Sequence, residues 1–335
     1  MINAQKFIPF VSVIIPCRNE EKFIGQCLDS VINNNYSKNK LEILVVDGMS
    51  DDGTRRILEK YTKEYPFIKF LDNYKKHIPC ALNIGVRESR GEIIIRLDAH
   101  LFYPDDYLQK CVFYLDKYKA DNIGAVWKIL PRNNTLRGRA IALALGHHFG
   151  SGNSYFRTGS KKVREVSTFF GGCYRKDIFQ KIGFYNENLK RSQDIELNLR
   201  LKKAGGKILI IPDIVCYYYV RSSLKDFFIH NIQDGIWAIY PLKFVKLYFN
   251  LRHYIPFIFV SGLLISGLLG IFISPFFWLF MFTLFLYLLL NIIFGIEVAL
   301  KQKDIRFLFL MPVAFSVRHI GYGLGSIWGL VKIII

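Results

Sequence analysis

The chain has no C-x-x-C pair. Its six cysteines (Cys17, Cys27, Cys80, Cys111, Cys173, Cys216) are scattered, several of them inside apolar runs. That pattern excludes a disulfide frame or a zinc knuckle and reads as buried thiols in a reducing compartment. It also lacks G-x-G-x-x-G and G-x-x-x-x-G-K-[ST], so neither a dinucleotide fold nor a P-loop is signalled. No secretory signal opens the chain: MINAQKFIPFVSVIIP carries one lysine and then a strand-like run, which leaves the N-terminus in the cytosol. Acidic residues are scarce, 27 against 45 Lys and Arg, for a formal net charge of +18 over 335 residues. Nucleic acid, an anionic membrane or a phosphorylated substrate would each answer to that excess. Finally, no charged residue occurs between His253 and Glu297.

That uncharged run is about twice the roughly 20 residues one membrane helix needs. Ser274 and Pro275 break it, which predicts two spans, about 255–273 and 276–296. A third candidate, 307–331, contains Pro312, Arg318 and His319, whose charge needs an interface or a partner. Lys301, Lys303 and Arg306 against Asp304 place the intervening loop in the cytoplasm by the positive-inside rule. With three spans the soluble part faces the same, inner side of a multi-pass inner-membrane protein. Residues 254–335 carry a net +3, so +15 of the charge belongs to the soluble part, facing an anionic leaflet. Between them, residues 221–253 interleave aromatics with Lys225, Lys243, Lys246 and Arg252, a pattern that suits helices in the interfacial plane. The expected organisation is a catalytic domain over 1–220, the interfacial segment over 221–253 and a membrane domain of two or three helices over 254–335.

The first 130 residues alternate. VSVIIP (11–16), LEILVVD (41–47), FIKFL (67–71), the run ending in IIIRLD and GAVWKIL (124–130) read as strands, with helical spacing between them. Strand, helix, strand at this spacing predicts a mostly parallel α/β sheet covered on both faces, with ligands bound beyond the carboxyl ends of the strands. Polar residues gather at those ends: Pro16, Arg18 and Glu20 after the first strand, Asp47 to Gly53 after the second, and Asp98 and His100 after the fourth. Asn83, Gly85, Arg87 and Arg90 stand in the crossover before it. Asp98 and His100, two apart in an extended chain, project to one side. A carboxylate-rich nucleotide site without a P-loop points to a divalent metal bridging phosphates to Asp and His.

The stretches VSVIIPCRNE, ILVVDGMSDDGT, LNIGVRESRGEIIIRLDAH and FFGGCYRKDIFQKIGFYNENLKRSQDIELNLRLKKAGGKI together resemble an inverting family 2 glycosyltransferase with a GT-A fold. More narrowly, they are similar to the membrane-attached succinoglycan-biosynthesis type. The resemblance covers about 10–235 and continues into RHIGYGLGSIWGL. It implies that Pro16, Arg18 and Glu20 line the nucleotide pocket, with Asn83 and Arg87 also among the nucleotide-sugar contacts. Asp47 would hydrogen-bond the base, taken as uracil. Asp98 would sit by the ribose and diphosphate, and His100 would take the metal-binding position, where the common motif has a second aspartate. Imidazole argues for manganese-like ions over a strong magnesium preference. Asp194 matches the catalytic base, with Gln193 where glutamate is more common. A sugar hydroxyl ionises far above neutrality, so attack on an anomeric carbon needs such a carboxylate to take its proton. Asp194 is otherwise read as the N-cap of a helix over 195–204.

Gly171 and Gly172 either let the acceptor approach the backbone or form a turn, and Glu196 either orients the acceptor or faces solvent. Gln233-Asp234-Gly235-Ile236-Trp237 has the spacing of the Gln-x-x-Arg-Trp motif of processive synthases, with Ile236 in the arginine position; a non-processive enzyme is expected. His147 and His148 read as loop or as a border of the acceptor site. The implied function is transfer of one sugar from a nucleotide donor to a lipid-linked saccharide at the membrane, with membrane lipids as partners and no nucleic acid. The alternatives are a polyprenyl-phosphate sugar synthase and a non-catalytic membrane scaffold.

Overall fold

A computed structural model describes residues 8–245 and 250–335. Lys246, counted above in the interfacial segment, lies outside the described residues. Backbone contacts divide the chain into two compact units, one of residues 1–128 and 159–218, the other of 129–158 and 219–335.

The first unit holds a mixed sheet. Its strands are β1 (Val11–Cys17), β2 (Leu41–Asp47), β3 (Ile68–Asp72), β4 (Ile93–Arg96), β5 (Leu101–Phe102), β6 (Asn122–Pro131), β7 (Arg164–Glu165), β8 (Gly172–Arg175) and β9 (Ile208–Val220). The spatial order is β3-β2-β1-β4-β8-β6-β9-β5, with β7 paired to β9. The first four strands are parallel, as the strand–helix alternation predicts. From β8 onward the pairings are antiparallel, which nothing in the hydrophobic period distinguishes from parallel.

All seven residues of β1 and of β2 are buried, because helices cover both faces. On one face α1 (Ile24–Ile32) and α4 (Tyr107–Lys117) lay Ile24, Leu28, Leu108 and Leu115 against Val13, Ile15, Ile43 and Ile95. On the other, α3 (Ile78–Glu88) comes so close that a Cβ on Gly85 would stand 2.5 Å from Ile14 Cγ2. The crossover α2 (Thr54–Glu64) joins β2 to β3, and the short α8 (Ile178–Ile182) precedes α9 (Gln193–Lys203). All six cysteines are buried as free thiols.

The second unit contains α5 (Leu136–Gly146), the short α6 (His148–Ser151) and α7 (Tyr155–Thr158), then α10 (Leu224–Ile239), α11 (Ile255–Gly270), α12 (Ser274–Gln302) and α13 (Phe307–Ile334). Residues 129–158 join it because Ala140 and Ala144 of α5 pack against Phe307, Met311 and Phe315. Along α13, Gly321, Gly325 and Gly329 meet α10 at the backbones of Phe228, Ile232 and Ile236. Among the described residues two helices, α12 and α13, are long and apolar enough to cross a membrane. The first expected span, about 255–273, is the shorter apolar helix α11. The 16 residues of α11 rise about 24 Å. The segment with the interior charge is the longer helix, because that charge is partnered. Arg318 donates from Nη1 to Asn231 Oδ1 (2.8 Å) and from Nε to the Gly150 carbonyl, and His319 Nε2 lies 2.9 Å from the Phe149 carbonyl oxygen.

Candidate active site

The parallel strands stop at one edge, and the loops leaving them are bound to each other. The amide of Asn19, held at φ +56, donates to Ser50 Oγ (2.8 Å), and the amide of Glu20 donates to Thr54 Oγ1 (2.8 Å). Loops β1–α1 and β2–α2 therefore form one rim. The β3–α3 loop and the residues after β4 complete a cleft of about 130 Å³ lined by Pro16, Arg18, Glu20, Gly48, Asn73, Lys76, His77, Asp98 and His100, among others.

Five residues singled out from sequence, Pro16, Arg18, Glu20, Asp98 and His100, thus share one cavity. The route differs from the extended one expected. β4 ends at Arg96, and the chain turns at residues 99–100. That turn points His100 Nδ1 at Glu20 Oε1 (3.4 Å), while Asp98 turns to Arg96. Burial pushes the His100 pKa down, but the bond to Glu20 and the charge of Asp98 outweigh it, for a net rise.

Arg96 is the centre of the arrangement. Its guanidinium is 4 % exposed and pairs with Asp98 Oδ1 through Nη2 (2.8 Å) and with Asp194 Oδ2 through Nη1 (3.3 Å). Asp194 is fully buried in the first turn of α9, behind the cleft. Ser192, in the left-handed region, is the N-cap, so Asp194 is not the cap that the alternative reading makes it. Both Asp194 oxygens lack a hydrogen bond, as do Arg96 Nε and Nη1 and Gln193 Oε1. Such a cluster of unsatisfied buried groups is rare in native interiors and marks a place for water or a polar ligand. Burial raises the Asp194 pKa to about 7, against the pull of Arg96 and with a further push from Asp98.

Gly171 passes over Arg96: a Cβ there would lie 3.5 Å from the Arg96 carbonyl oxygen and 3.8 Å from Nη1. Gly171 and Gly172 both have positive φ, +82 and +136, and a Cβ on Gly172 would come within 2.6 Å of Asn122 Oδ1. The tight turn is therefore real, and it borders the Arg96–Asp194 pair.

Four other expected residues are not among those lining the cleft, and each has partners within the protein. Asp47 is fully buried, and its oxygens are occupied by the Ser50 amide (3.0 Å), the Ser50 hydroxyl and Arg55 Nη1 (2.7 Å). Arg55 also reaches Asp72 (2.8 Å) and lies over the Phe70 ring. Asn83 is spent on the backbone of Tyr185 (2.9 Å, both directions) and on Glu187 (3.0 Å), and Arg87 stacks on Phe184. Glu196 neither faces solvent nor reaches the cleft. It is buried against Arg200 (2.6 and 2.9 Å), whose other donors bind the carbonyls of Ile182 and Phe184. These three tie the 182–187 turn to α3 and α9.

Sequence reasoning missed Arg96, Asn73, Lys76 and His77. For Arg96 a signal existed: a lone charge closing an apolar strand two residues before Asp98. The other three sit on a loop whose course only the fold sets.

Residues 12–183, about half the chain, match the profile of glycosyl transferase family 2. The chain is 30 % identical over 330 residues to the dolichyl N-acetyl-alpha-D-glucosaminyl phosphate 3-beta-D-2,3-diacetamido-2,3-dideoxy-beta-D-glucuronosyltransferase of Methanococcus voltae, covering 96 % of this chain and 98 % of that one. It is 28 % identical over 255 residues to the succinoglycan biosynthesis protein ExoA of Rhizobium meliloti, with 71 % of this chain and 76 % of the relative covered. Among solved structures, the mannosyltransferase PcManGT of Pyrobaculum calidifontis, 17 % identical, superposes with a TM-score of 0.64 over 96 % of this chain and 88 % of that one.

The mixed sheet with its cleft at the parallel strand ends is the GT-A fold of nucleotide-sugar transferases. The chain belongs to glycosyl transferase family 2 and is a glycosyltransferase.

Proposed function

We propose that this enzyme moves a single sugar from a nucleotide-sugar, taken as UDP-linked, to a lipid-linked saccharide at a membrane surface, with inversion at the anomeric carbon. The observation that carries the reading is the buried relay Asp98–Arg96–Asp194. It joins a carboxylate on the donor cleft to a second carboxylate whose oxygens accept no hydrogen bond and whose pKa is raised to about 7. A base poised near neutrality both holds the deprotonated form and accepts a proton readily. In this reading Asp194 takes the acceptor hydroxyl's proton as the oxygen attacks, the acceptor arriving over Gly171 and Gly172. Arg18, Lys76 and His77 line the cleft and would face the diphosphate, and Asp47 beside it is held by Arg55 and Ser50.

The cleft also fits a divalent cation. Asp98 and His100 offer one carboxylate and one imidazole, and Glu20 stands 3.4 Å from His100. Among the described residues no group of three or more His, Cys, Asp or Glu gathers. Such a sparse set suits an ion whose shell is completed by the donor's phosphate oxygens. When bound, the ion supplies charge neutralisation for the departing nucleoside diphosphate. The relative from Methanococcus voltae is named for a dolichyl-phosphate-linked acceptor, and ExoA for succinoglycan synthesis, which supports a lipid-linked saccharide as acceptor here. The helices α12 and α13 would hold the chain at the cytosolic face of the membrane, with α11 as the third crossing that keeps the basic loop on the side of the soluble part.

The test is UDP release from a panel of UDP-sugars by the full chain in detergent, with and without manganese or magnesium, beside Asp98→Ala and Asp194→Asn. Metal-dependent turnover of one donor that both variants abolish is the expected result. No turnover and no metal-dependent UDP binding would sink the reading. Full activity in Asp194→Asn with a prenyl phosphate acceptor would assign the acceptor group to phosphate, which needs little help from a base.

A further inference from the structure

One set of side chains in the first unit belongs neither to the Arg96 relay nor to the cleft lining. The strands β6 and β9 are neighbours in the sheet, and residues two apart in a strand share a face. One face of β6 carries Ile123, Ala125 and Trp127, and one face of β9 carries Ile214, Cys216 and Tyr218. The first two of each set are core, while Trp127 and Tyr218 pack against that core and stay half-buried. The core face of these strands thus runs out into two large rings that keep part of their surface in solvent.

The rings form a row whose two ends are fixed by the site. Between centroids, Tyr218 lies 6.1 Å from the His100 ring, Trp127 lies 5.2 Å from Tyr218, and the half-buried Phe170 lies 6.2 Å from Trp127. The planes meet at 56°, 46° and 37°, so no pair in the row is stacked face to face. At one end His100 lines the donor cleft. At the other, Phe170 leads into Gly171, which passes over Arg96, the partner of Asp194. The row therefore connects the place of the donor's phosphates to the place of the base. Its strands lie beyond β4 and β8, on the far side from β1 and β2, whose ends carry Pro16, Arg18 and Glu20. A nucleoside held by those ends leaves the row to a sugar. A pyranose ring has hydroxyls on its rim and an apolar C–H face, and that face matches the apolar body of an aromatic side chain.

We propose that Trp127, Tyr218 and Phe170 form the platform on which the acceptor's terminal pyranose lies, its C–H face on the rings and its attacking hydroxyl turned toward Gly171 and Asp194. The assignment rests on the reading of the chain as a transferase acting on a saccharide acceptor, and it names the residues that select a sugar ring for that role. A bare phosphate acceptor has no apolar face for such a platform to hold.

The experiment is saturation-transfer NMR on the full chain in a sugar-free detergent, with manganese and UDP present. The probes are the methyl pyranosides of glucose, galactose and N-acetylglucosamine, and UDP affinity is followed in parallel. Irradiating the protein's aromatic protons should label the ring C–H protons of at least one probe. Trp127→Leu should weaken that probe about ten-fold, as loss of an aromatic contact does, while Trp127→Phe keeps most of the affinity and UDP binds both variants unchanged. Native affinity in Trp127→Leu, or no labelling of any probe by a chain that binds UDP, would overturn the proposal. So would a variant that weakens a UDP-sugar relative to UDP and leaves the probes alone, because the row would then hold the donor's sugar. If Trp127→Leu loses UDP binding as well, it has misfolded, and Phe170→Leu decides by the same criteria. Absent UDP binding in the native chain, with Trp127-dependent probe binding intact, would sink the nucleotide-sugar reading and leave the platform standing.

Discussion

At the residue scale, the chemistry gathers around Arg96. It is buried between two carboxylates, and removing it leaves Asp98 and Asp194 facing each other without a cation. Breaking a buried ion pair by deleting one partner costs about 3–5 kcal/mol, so Arg96→Met should lower the melting temperature sharply. Arg96→Lys keeps the charge but cannot span both carboxylates, and should fold while losing about a hundred-fold in kcat with little change in donor KM. A loss confined to KM would mean that Arg96 only shapes the donor cleft. Asp194 offers a separate check through pH. Its folded pKa of about 7 lies above the ordinary carboxylate value, so the native state holds its proton where the unfolded state has released it. Its contribution to stability is therefore full at low pH and lost as pH rises toward 7. Asp194→Asn should then be more stable than the native chain at pH 8, by up to about 4 kcal/mol, with the gap closing near pH 4. Activity runs the opposite way. The ionised base is needed, so kcat/KM should rise with pH to a plateau above about 7. A native chain that is the more stable of the two at pH 8 would refute the raised pKa of Asp194.

At the element scale, two close approaches are decisive. The β8 turn works only with glycine, because Gly172 combines φ +136 with a Cβ position 2.6 Å from Asn122 Oδ1. Gly172→Ala should move the turn that covers Arg96, lowering activity at least ten-fold along with about 1–3 kcal/mol of stability. In the second unit α10 lies on α13 through bare backbone. A Cβ on Gly325 would stand 2.1 Å from the Ile232 carbonyl oxygen, and one on Gly235 2.0 Å from that of Tyr322. Gly325→Val should push these helices apart and cost stability in detergent, measurable as a lower melting temperature with donor binding retained. Unchanged stability would mean that α10 is not held by this crossing.

At the scale of the whole molecule, the charge and the apolar helices belong together. The two long helices, α12 and α13, should keep the protein in the pelleted membrane fraction through alkaline carbonate and high salt, and release it only to detergent. Release by 1 M salt alone would make the attachment electrostatic, since screening at that ionic strength removes surface attraction beyond about 3 Å. The same scale explains why some of the site was legible in advance and some was not. Pro16, Arg18, Glu20, Asp98 and His100 are residues at the ends of buried strands, and the sheet brings such ends together whatever the loops do. Asn83, Arg87 and Glu196 carry the same chemistry on helices, where which neighbour claims a side chain depends on packing across the fold. In this chain the 182–187 turn claimed them.

The amino-acid sequence by itself determined the parallel half of the sheet, the strand ends that carry the cleft, and the presence of long apolar helices. Each follows from local period, length and composition. Only the tertiary structure decided that β8 and its followers run antiparallel, that Arg96 links Asp98 to Asp194, and that Asp47 is spent on Arg55. It also decided that the charge inside α13 is satisfied by the Gly150 carbonyl and Asn231. These are contacts between residues far apart in the chain, and hydrophobic period and propensity carry no information about which distant polar groups will meet.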